Sequence, residues 1–315
     1  MKKPLIVLTG PTAVGKTSLS IALAKAVNGE IISADSMQVY KKMDIGSAKI
    51  RPEEMNGVKH YLVDVLDPKE EFHIVKFQQM AKEAMEEIYA KGKIPILVGG
   101  TGFYIQAVTK DIDFTEAEQE NEYRKELEVL AKEKGGEYLH EMLKEVDPKS
   151  AEAIHSHNVK RVIRALEFYH QNQTPISAHN EEQKKNESPY RLAYFVLNMS
   201  RELLYKRIDL RVDQMLEEGL LEEVKDLQKE GCCRGMVSMQ GLGYKEILDY
   251  LEGKYSLEEA VRILKRDTRH FAKRQLTWFR REQEVTWVDK EKFDYEENQI
   301  LAFMLAVCKE KGLIL

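Results

Sequence analysis

Residues 5–17 read LIVLTGPTAVGKT: a short apolar run, then Gly10, Gly15, Lys16 and Thr17 in the spacing G-x-x-x-x-G-K-T, then the start of a helical pattern. Strand, glycine-rich loop and helix in that order separate a phosphate-binding loop from a chance match. Along Gly10, Pro11, Thr12, Ala13, Val14, Gly15, Lys16 and Thr17 the glycines let backbone N–H groups turn toward phosphate oxygens. The helix N-terminus adds the positive end of its dipole, Lys16 a cation, and Thr17 a hydroxyl able to hold magnesium. The loop therefore predicts a diphosphate or nucleotide ligand, but not which of its bonds breaks.

Working outward, residues 30–34 (EIISA) and 94–99 (IPILVG) are further short runs of Ile, Leu and Val, and helical patterns at 16–27 and 74–91 lie between the runs. That alternation predicts an α/β fold, a P-loop NTPase-like doubly wound parallel sheet. From about 115 to 190 the strand-like runs vanish, while 118–134 and 159–172 read as amphipathic helices. The expected organisation is a core from 1–114 and 191–315 that carries a helical insertion domain over 115–190. A run at 192–198 (LAYFVLN) returns to the sheet, a helical stretch follows over 201–230, and a last strand is expected at 285–288 before an acidic helical tail.

The chain has 315 residues, 43% of them hydrophobic, enough for a sizeable core, and a net charge of −5. That charge argues against a uniformly basic RNA coat, so a polyanion would have to meet a local patch. One such patch is evident: between Arg262 and Arg281 eight Lys or Arg residues face a single acid, Asp267, with Phe271, Trp278 and Phe279 interleaved. Cys232, Cys233 and Cys308 have neither zinc nor disulfide spacing, and no apolar stretch nears the ~20 residues of a membrane span. A cytoplasmic location without a membrane is the expectation.

Reacting groups in open α/β sheets gather at the carboxyl ends of strands, and the second run ends in Ser33, Ala34, Asp35, Ser36. Asp35 either faces the phosphate loop or caps a following helix. The third run ends in Gly99, Gly100, Thr101, Gly102 instead of the aspartate of a Walker B strand. That lowers the case for a motor ATPase and leaves small-molecule kinases and other diphosphate users. Arg207 and Arg211, four apart, share a helical face and either clamp phosphates or pair with Asp209 and Asp213. In Gln240, Gly241, Leu242, Gly243, Tyr244 and Lys245 the glycines allow close backbone approach and the tyrosine a ring to stack on a base; a plain loop is the alternative. Lys160, Arg161 and Arg164 form another basic cluster, and His155 and His157 lack metal-ligand partners.

Taken in order, GPTAVGKT, SADSMQVYKKMDIGSAK, ILVGGTGFY, NVKRVIRALE, GLGYKE and AKRQLTWFRR resemble the tRNA dimethylallyltransferase (tRNA isopentenyltransferase) family, from Leu5 to about Trp287. The resemblance implies transfer of a dimethylallyl group from dimethylallyl diphosphate to the N6 amine of the adenosine 3′-adjacent to the anticodon of tRNA, with Mg2+. It implies a P-loop core whose helical insertion closes over the tRNA anticodon stem-loop. No obligate protein partner is evident in the sequence, and a monomer is the expectation. By its motifs Asp35 matches the catalytic base, while Thr12 and Arg211 match groups that orient the diphosphate. The tRNA-contacting positions it implies are Asp35, Ser36, Met37, Gln38, Thr101, Arg124, Lys160, Arg161, Val162, Ile163 and Arg164, together with 240–245. Lys59 stands before His60 where two histidines are expected, and the C-terminal zinc finger of eukaryotic members has no counterpart, which points to a bacterial type. The competing reading is a small-molecule kinase using ATP.

Overall fold

A computed structural model of the chain describes residues 2–114, 122–184 and 186–314. From the N-terminus the elements are β1 (Pro4–Thr9), α1 (Lys16–Ala26), β2 (Gly29–Ser33), β3 (His60–Tyr61), α2 (Ile74–Ala90), β4 (Ile94–Gly99) and α3 (Gly102–Thr109). Next come α4 (Glu122–Lys134), α5 (Gly136–Val146), α6 (Pro148–Ala153), α7 (Val159–Asn172) and α8 (Ile176–Lys184). The chain then adds β5 (Arg191–Asn198), α9 (Arg201–Glu217), α10 (Leu220–Lys229), α11 (Tyr244–Leu251), α12 (Leu257–Phe279), β6 (Thr286–Asp289) and α13 (Glu297–Glu310).

All strand pairs are parallel, in one six-stranded sheet of order β3-β2-β4-β1-β5-β6. Helices cover both faces, which is why β1 is apolar throughout and not alternating. Leu5 and Val7 pack into the layer of α2, α3 and α11, whereas Ile6 and Leu8 pack toward α1 and α13, and all four are fully buried. Because β4 lies between β1 and β2, three strand ends meet on one edge: Thr9 is in register with Gly99, and the Ala34 amide, one residue past β2, donates to Val98 at 2.7 Å. The phosphate loop, Asp35 and the Gly99-Gly100 turn are brought together by that strand order alone.

Two elements differ from the sequence reading. β3 is only two residues long, too short for any periodicity to show. The stretch 201–230 is two helices, broken where Gly219 takes φ 105°, a left-handed conformation that glycine adopts without Cβ strain.

The chain divides into two compact units, Met1–Thr109 with Ser188–Leu315, and Lys110–Glu187. The second has its own core of Leu127, Leu139, Leu143, Val162, Ile163 and Leu166. Buried Asp147 organises it, accepting from the Ser150 amide (3.0 Å) as the cap of α6 and from the Ser177 amide (3.0 Å) and hydroxyl (2.6 Å). Residues 118–121 of the expected 118–134 helix lie outside the described residues. No helix among the described residues is long and apolar enough to cross a membrane.

Candidate active site

The phosphate loop is tightly constrained. Gly10 has φ 147°, and a Cβ there would come within 2.6 Å of the Leu197 carbonyl on β5. Ala13 (φ 62°) and Gly15 (φ 90°) complete the turn, while the Val14 side chain plugs into the core. Lys16 curls back over the loop, its Nζ donating to the Gly10 (3.0 Å) and Pro11 (2.9 Å) carbonyls. Removal from water pulls its pKa down to about 8; the negative charge of Asp35 works against that fall and the positive charge of Arg211 with it.

Asp35 serves a structural and a chemical end with different oxygens. Its Oδ1 accepts from the amides of Met37 (2.8 Å) and Gln38 (3.3 Å) and so caps a turn; no helix follows. Its Oδ2 takes no hydrogen bond from the described residues, and the side chain lines a cleft of about 620 Å³ whose floor is Thr12, Gly15, Lys16 and Thr17. Arg207 and Arg211 of α9 line the same cleft. The competing partners are taken, since Asp209 pairs with Arg269 and Asp213 with Lys265. Arg211 is thus left beside Asp35, and burial pushes its pKa down.

The opposite wall is the loop 44–51, held from behind. Glu223 of α10 accepts from the amides of Asp44 (2.9 Å), Ile45 (2.7 Å) and Gly46 (3.1 Å), and from the hydroxyl of Tyr244 (2.7 Å). The Tyr244 hydroxyl in turn accepts from the Ser47 amide at 3.1 Å. Gly46 has no room for a side chain, because the Tyr244 ring lies 2.6 Å from where its Cβ would be.

These facts correct several sequence expectations. Tyr244 is 0% exposed and cannot stack on a base in this conformation. Val162 and Ile163, implied as RNA contacts, are likewise buried, in the core of the second unit, whereas Lys160 and Arg161 are exposed. Gly241 is buried against Met37, whose Sδ is 2.6 Å from its Cβ position, so the segments 35–38 and 240–245 do pack together while only Gln240 is fully outward. Gln38 lines the cleft, its Nε2 donating to the carbonyls of Ser47 (3.4 Å) and Ala48 (3.2 Å). Thr101 is half-buried; its amide donates to the Ala34 carbonyl (3.3 Å), beside Asp35. Arg124 is paired with buried Glu167 at 3.2 Å inside the second unit. Asp64 pairs with Lys49 at 2.8 Å.

Two functional candidates escaped the sequence reading. Gln275 of α12 bridges two strand ends, its Oε1 accepting from the Thr12 amide (2.9 Å) and its Nε2 donating to the Gly100 carbonyl (3.0 Å). Its only sequence signal is a polar residue on the buried stripe of an amphipathic helix. Lys290, 3% exposed, sets its Nζ behind the loop, 3.1 Å from the Cβ position of Gly15. Nothing in its local sequence marks it.

Among the described residues no group of three or more His, Cys, Asp or Glu could hold a metal ion. Mg2+ commonly takes few protein ligands and completes its shell with phosphate oxygens and water. The hard-oxygen hydroxyl of Thr17, exposed on the cleft floor, fits that habit.

A phosphate loop opposed by a strand-end carboxylate, with arginines on the flank and no Walker B acid, defines a P-loop enzyme built around a diphosphate. Comparisons with known proteins narrow the class. A family model described as IPP transferase matches residues 38–282. The chain is 64% identical over 312 residues to a tRNA dimethylallyltransferase of Lachnoclostridium phytofermentans, covering 99% of each. It is 54% identical over 296 residues to one of Acetivibrio thermocellus, covering 94% of this chain and 95% of that one. A crystal structure of the full-length tRNA isopentenylpyrophosphate transferase of Bacillus halodurans is similar with TM-score 0.73 and 47% identity, covering 99% of this chain and 98% of that one. A eukaryotic dimethylallyltransferase acting on tRNA is similar with TM-score 0.79 and 34% identity, covering 91% of this chain and 74% of that one. The chain belongs to the tRNA dimethylallyltransferase, or IPP transferase, family.

Proposed function

We propose that this enzyme transfers a dimethylallyl group from dimethylallyl diphosphate to the N6 amine of the adenosine 3′-adjacent to the anticodon of tRNA. The observation that carries this reading is the free Oδ2 of Asp35, placed in one cleft with the phosphate loop and Arg211. In the reaction the amine nitrogen forms a bond to the allylic carbon, that carbon's bond to the diphosphate oxygen breaks, and diphosphate leaves with the electron pair.

An adenine amine is a weak nucleophile because its lone pair is delocalised into the ring. Asp35 Oδ2 accepts the proton released as the C–N bond forms, a role worth roughly 10²- to 10⁴-fold in rate. The charge growing on the leaving diphosphate meets Lys16, Arg211 and the phosphate loop, which line the same cleft; Lys16 exchanges its bonds to the Gly10 and Pro11 carbonyls for the phosphate oxygens. Magnesium held by the Thr17 hydroxyl would add positive charge beside the same phosphates. No water is activated and no γ-phosphate moves, which accounts for the absence of a carboxylate at the end of β4.

RNA contacts are proposed for the accessible members of the implied set: Ser36, Gln38, Thr101 and Gln240 beside the cleft, and Arg124, Lys160, Arg161 and Arg164 on the second unit. The target base leaves its stack to reach Asp35, at a cost of a few kcal/mol that contacts to the flipped base offset.

The test is incubation with Mg2+, radiolabelled dimethylallyl diphosphate and unmodified tRNA, followed by digestion to nucleosides. Label on the adenosine N6 amine is expected, and its loss in Asp35→Asn, which keeps the Oδ1 cap, assigns the base. No label, with ADP formed from ATP and a small acceptor, would replace this reading by a kinase.

A further inference from the structure

Most polar side chains of the Asp35 cleft are engaged by a partner or by the chemistry already described. The amide of Gln38 is held by Ser33, Ser47 and Ala48, and that of Gln275 by Thr12 and Gly100. Lys49 binds the Tyr40 carbonyl, Asp44 and Asp64, while Arg51 pairs with Glu218 at 3.3 Å. Thr12, Lys16, Thr17 and the arginines of α9 belong to the phosphate end, and Asp35 Oδ2 to the proton. Gln214 of α9 remains. It is exposed on the cleft wall, and its side chain forms no hydrogen bond with a described residue.

Position along α9 narrows what this amide meets. Arg207, Arg211, Gln214 and Glu218 follow the i, i+4, i+7, i+11 spacing of a single helical face, and all four line the cleft. The Nη2 of Arg207 is 3.7 Å from the Cβ position of Gly15 in the phosphate loop, and Arg211 lies beside Asp35. At the rise of an α-helix Gln214 stands about 4.5 Å beyond Arg211 in the direction leading away from Arg207. A donor whose diphosphate occupies the loop, and an acceptor amine that meets Asp35, therefore bring the acceptor's ring against this turn of the helix.

A carboxamide presents an acceptor and a donor in one plane, the complement of adenine's amine and the ring nitrogen next to it. We propose that Gln214 reads the target base, Oε1 accepting from the N6 amine and Nε2 donating to the adjacent ring nitrogen. The amine carries two hydrogens. Asp35 Oδ2 takes one as the C–N bond forms and the bond to diphosphate breaks; Gln214 holds the other, which the alkylated product keeps. Guanine or hypoxanthine would set a carbonyl oxygen against Oε1 and be rejected. The inference rests on the proposed function and adds the residue that selects the base.

The test uses anticodon stem-loops with adenosine, 1-deazaadenosine or 7-deazaadenosine at the target position, each retaining the amine, and compares the unaltered enzyme with Gln214→Leu. The unaltered enzyme is scored first on adenosine: no alkylation there ends the functional reading and this inference with it. Given activity, Gln214→Leu should lower kcat/KM for adenosine about 10- to 100-fold, with unchanged Kd for inorganic diphosphate as the sign of an intact fold and phosphate loop. One of the two analogues should cost the unaltered enzyme a similar factor and cost Gln214→Leu nothing further, because the bond it lacks is already gone. Additive losses with both analogues overturn the inference alone, as do an unchanged kcat/KM for adenosine and a matching loss of diphosphate affinity.

Discussion

The hydroxyl of Tyr244 donates a 2.7 Å hydrogen bond to the carboxylate of Glu223, and both groups turn toward the same stretch of backbone. Glu223 takes the successive amides of Asp44, Ile45 and Gly46, and Tyr244 takes that of Ser47. A side-chain anion thus fills a nest of N–H groups, and the loop that results is the cleft wall facing the arginines of α9. Order in this wall comes from α10 and α11, not from the residues of the loop itself.

Tyr244→Phe keeps the ring volume, strands the Ser47 amide and deprives Glu223 of a donor. Stability should fall by about 1–3 kcal/mol, seen as a lower Tm, and the KM for tRNA should rise because the wall loosens. Tyr244→Ala removes a fully buried ring at a cost of about 3–5 kcal/mol and should impair tRNA and diphosphate binding together. A Tyr244→Ala protein of unchanged Tm that lost only tRNA affinity would restore the base-stacking role set aside above.

Gln275 is the one side chain from α12 that touches both the phosphate loop and the end of β4. Gln275→Leu removes the acceptor for Thr12 and the donor to Gly100, so inorganic diphosphate should bind less tightly by about 1 kcal/mol, near fivefold in Kd. Gln275→Glu keeps an acceptor for the Thr12 amide but sets a carboxylate against the Gly100 carbonyl and beside the ligand phosphates. Calorimetric titration should find it weaker than Gln275→Leu; the reverse order would mean that hydrogen bonding at Thr12 governs the site more than charge does.

Much of this was legible in the chain. The apolar runs placed β1, β2, β4 and β5 within a residue or two, because buried parallel strands show themselves by composition. The loop spacing placed Lys16 and Thr17, and strand-end logic placed Asp35 in the cleft. What stayed hidden depended on long-range partners. Whether Arg211 was paired turned on Arg269 and Lys265 capturing Asp209 and Asp213 from a different helix. Whether Tyr244 was exposed turned on Gly46, nearly 200 positions away in sequence. Local periodicity carries no information of that kind.

Lys290 sits behind the phosphate loop with the Val14 carbonyl 3.4 Å from its Nζ, and burial depresses its pKa, an effect that Glu297 opposes and Arg207 adds to. A lysine whose folded pKa lies below its unfolded value costs stability while protonated, and the cost fades as pH rises toward the unfolded pKa. Lys290→Met should therefore raise Tm at neutral pH and narrow the gap to the parent in alkaline buffer. The same change removes a positive charge beside Gly15 and should weaken diphosphate binding by roughly 1 kcal/mol. A variant that gained Tm with undiminished diphosphate affinity would make Lys290 a packing residue only.

Lys16 provides the sharpest dependence on pH. With its pKa at about 8 in the free protein, the side chain is charged below that point and loses its proton above it. Diphosphate favours the charged form, so binding draws a proton onto Lys16 and affinity should fall as pH rises through about 8. The slope of log Kd against pH approaches one for a single linked proton. The ligand's own ionisation adds a second dependence, which Lys16→Met isolates because it retains that contribution and lacks the lysine. The measurement is diphosphate Kd across the range for both proteins, and the difference between the curves belongs to Lys16. For stability the sign is opposite: the depressed folded pKa means that Tm of the ligand-free protein gains from pH 8 upward, toward the ordinary 10.5 of an exposed lysine. Parallel Kd curves for the two proteins would show Lys16 keeping its proton throughout, held by Asp35 against the desolvation that the cleft imposes.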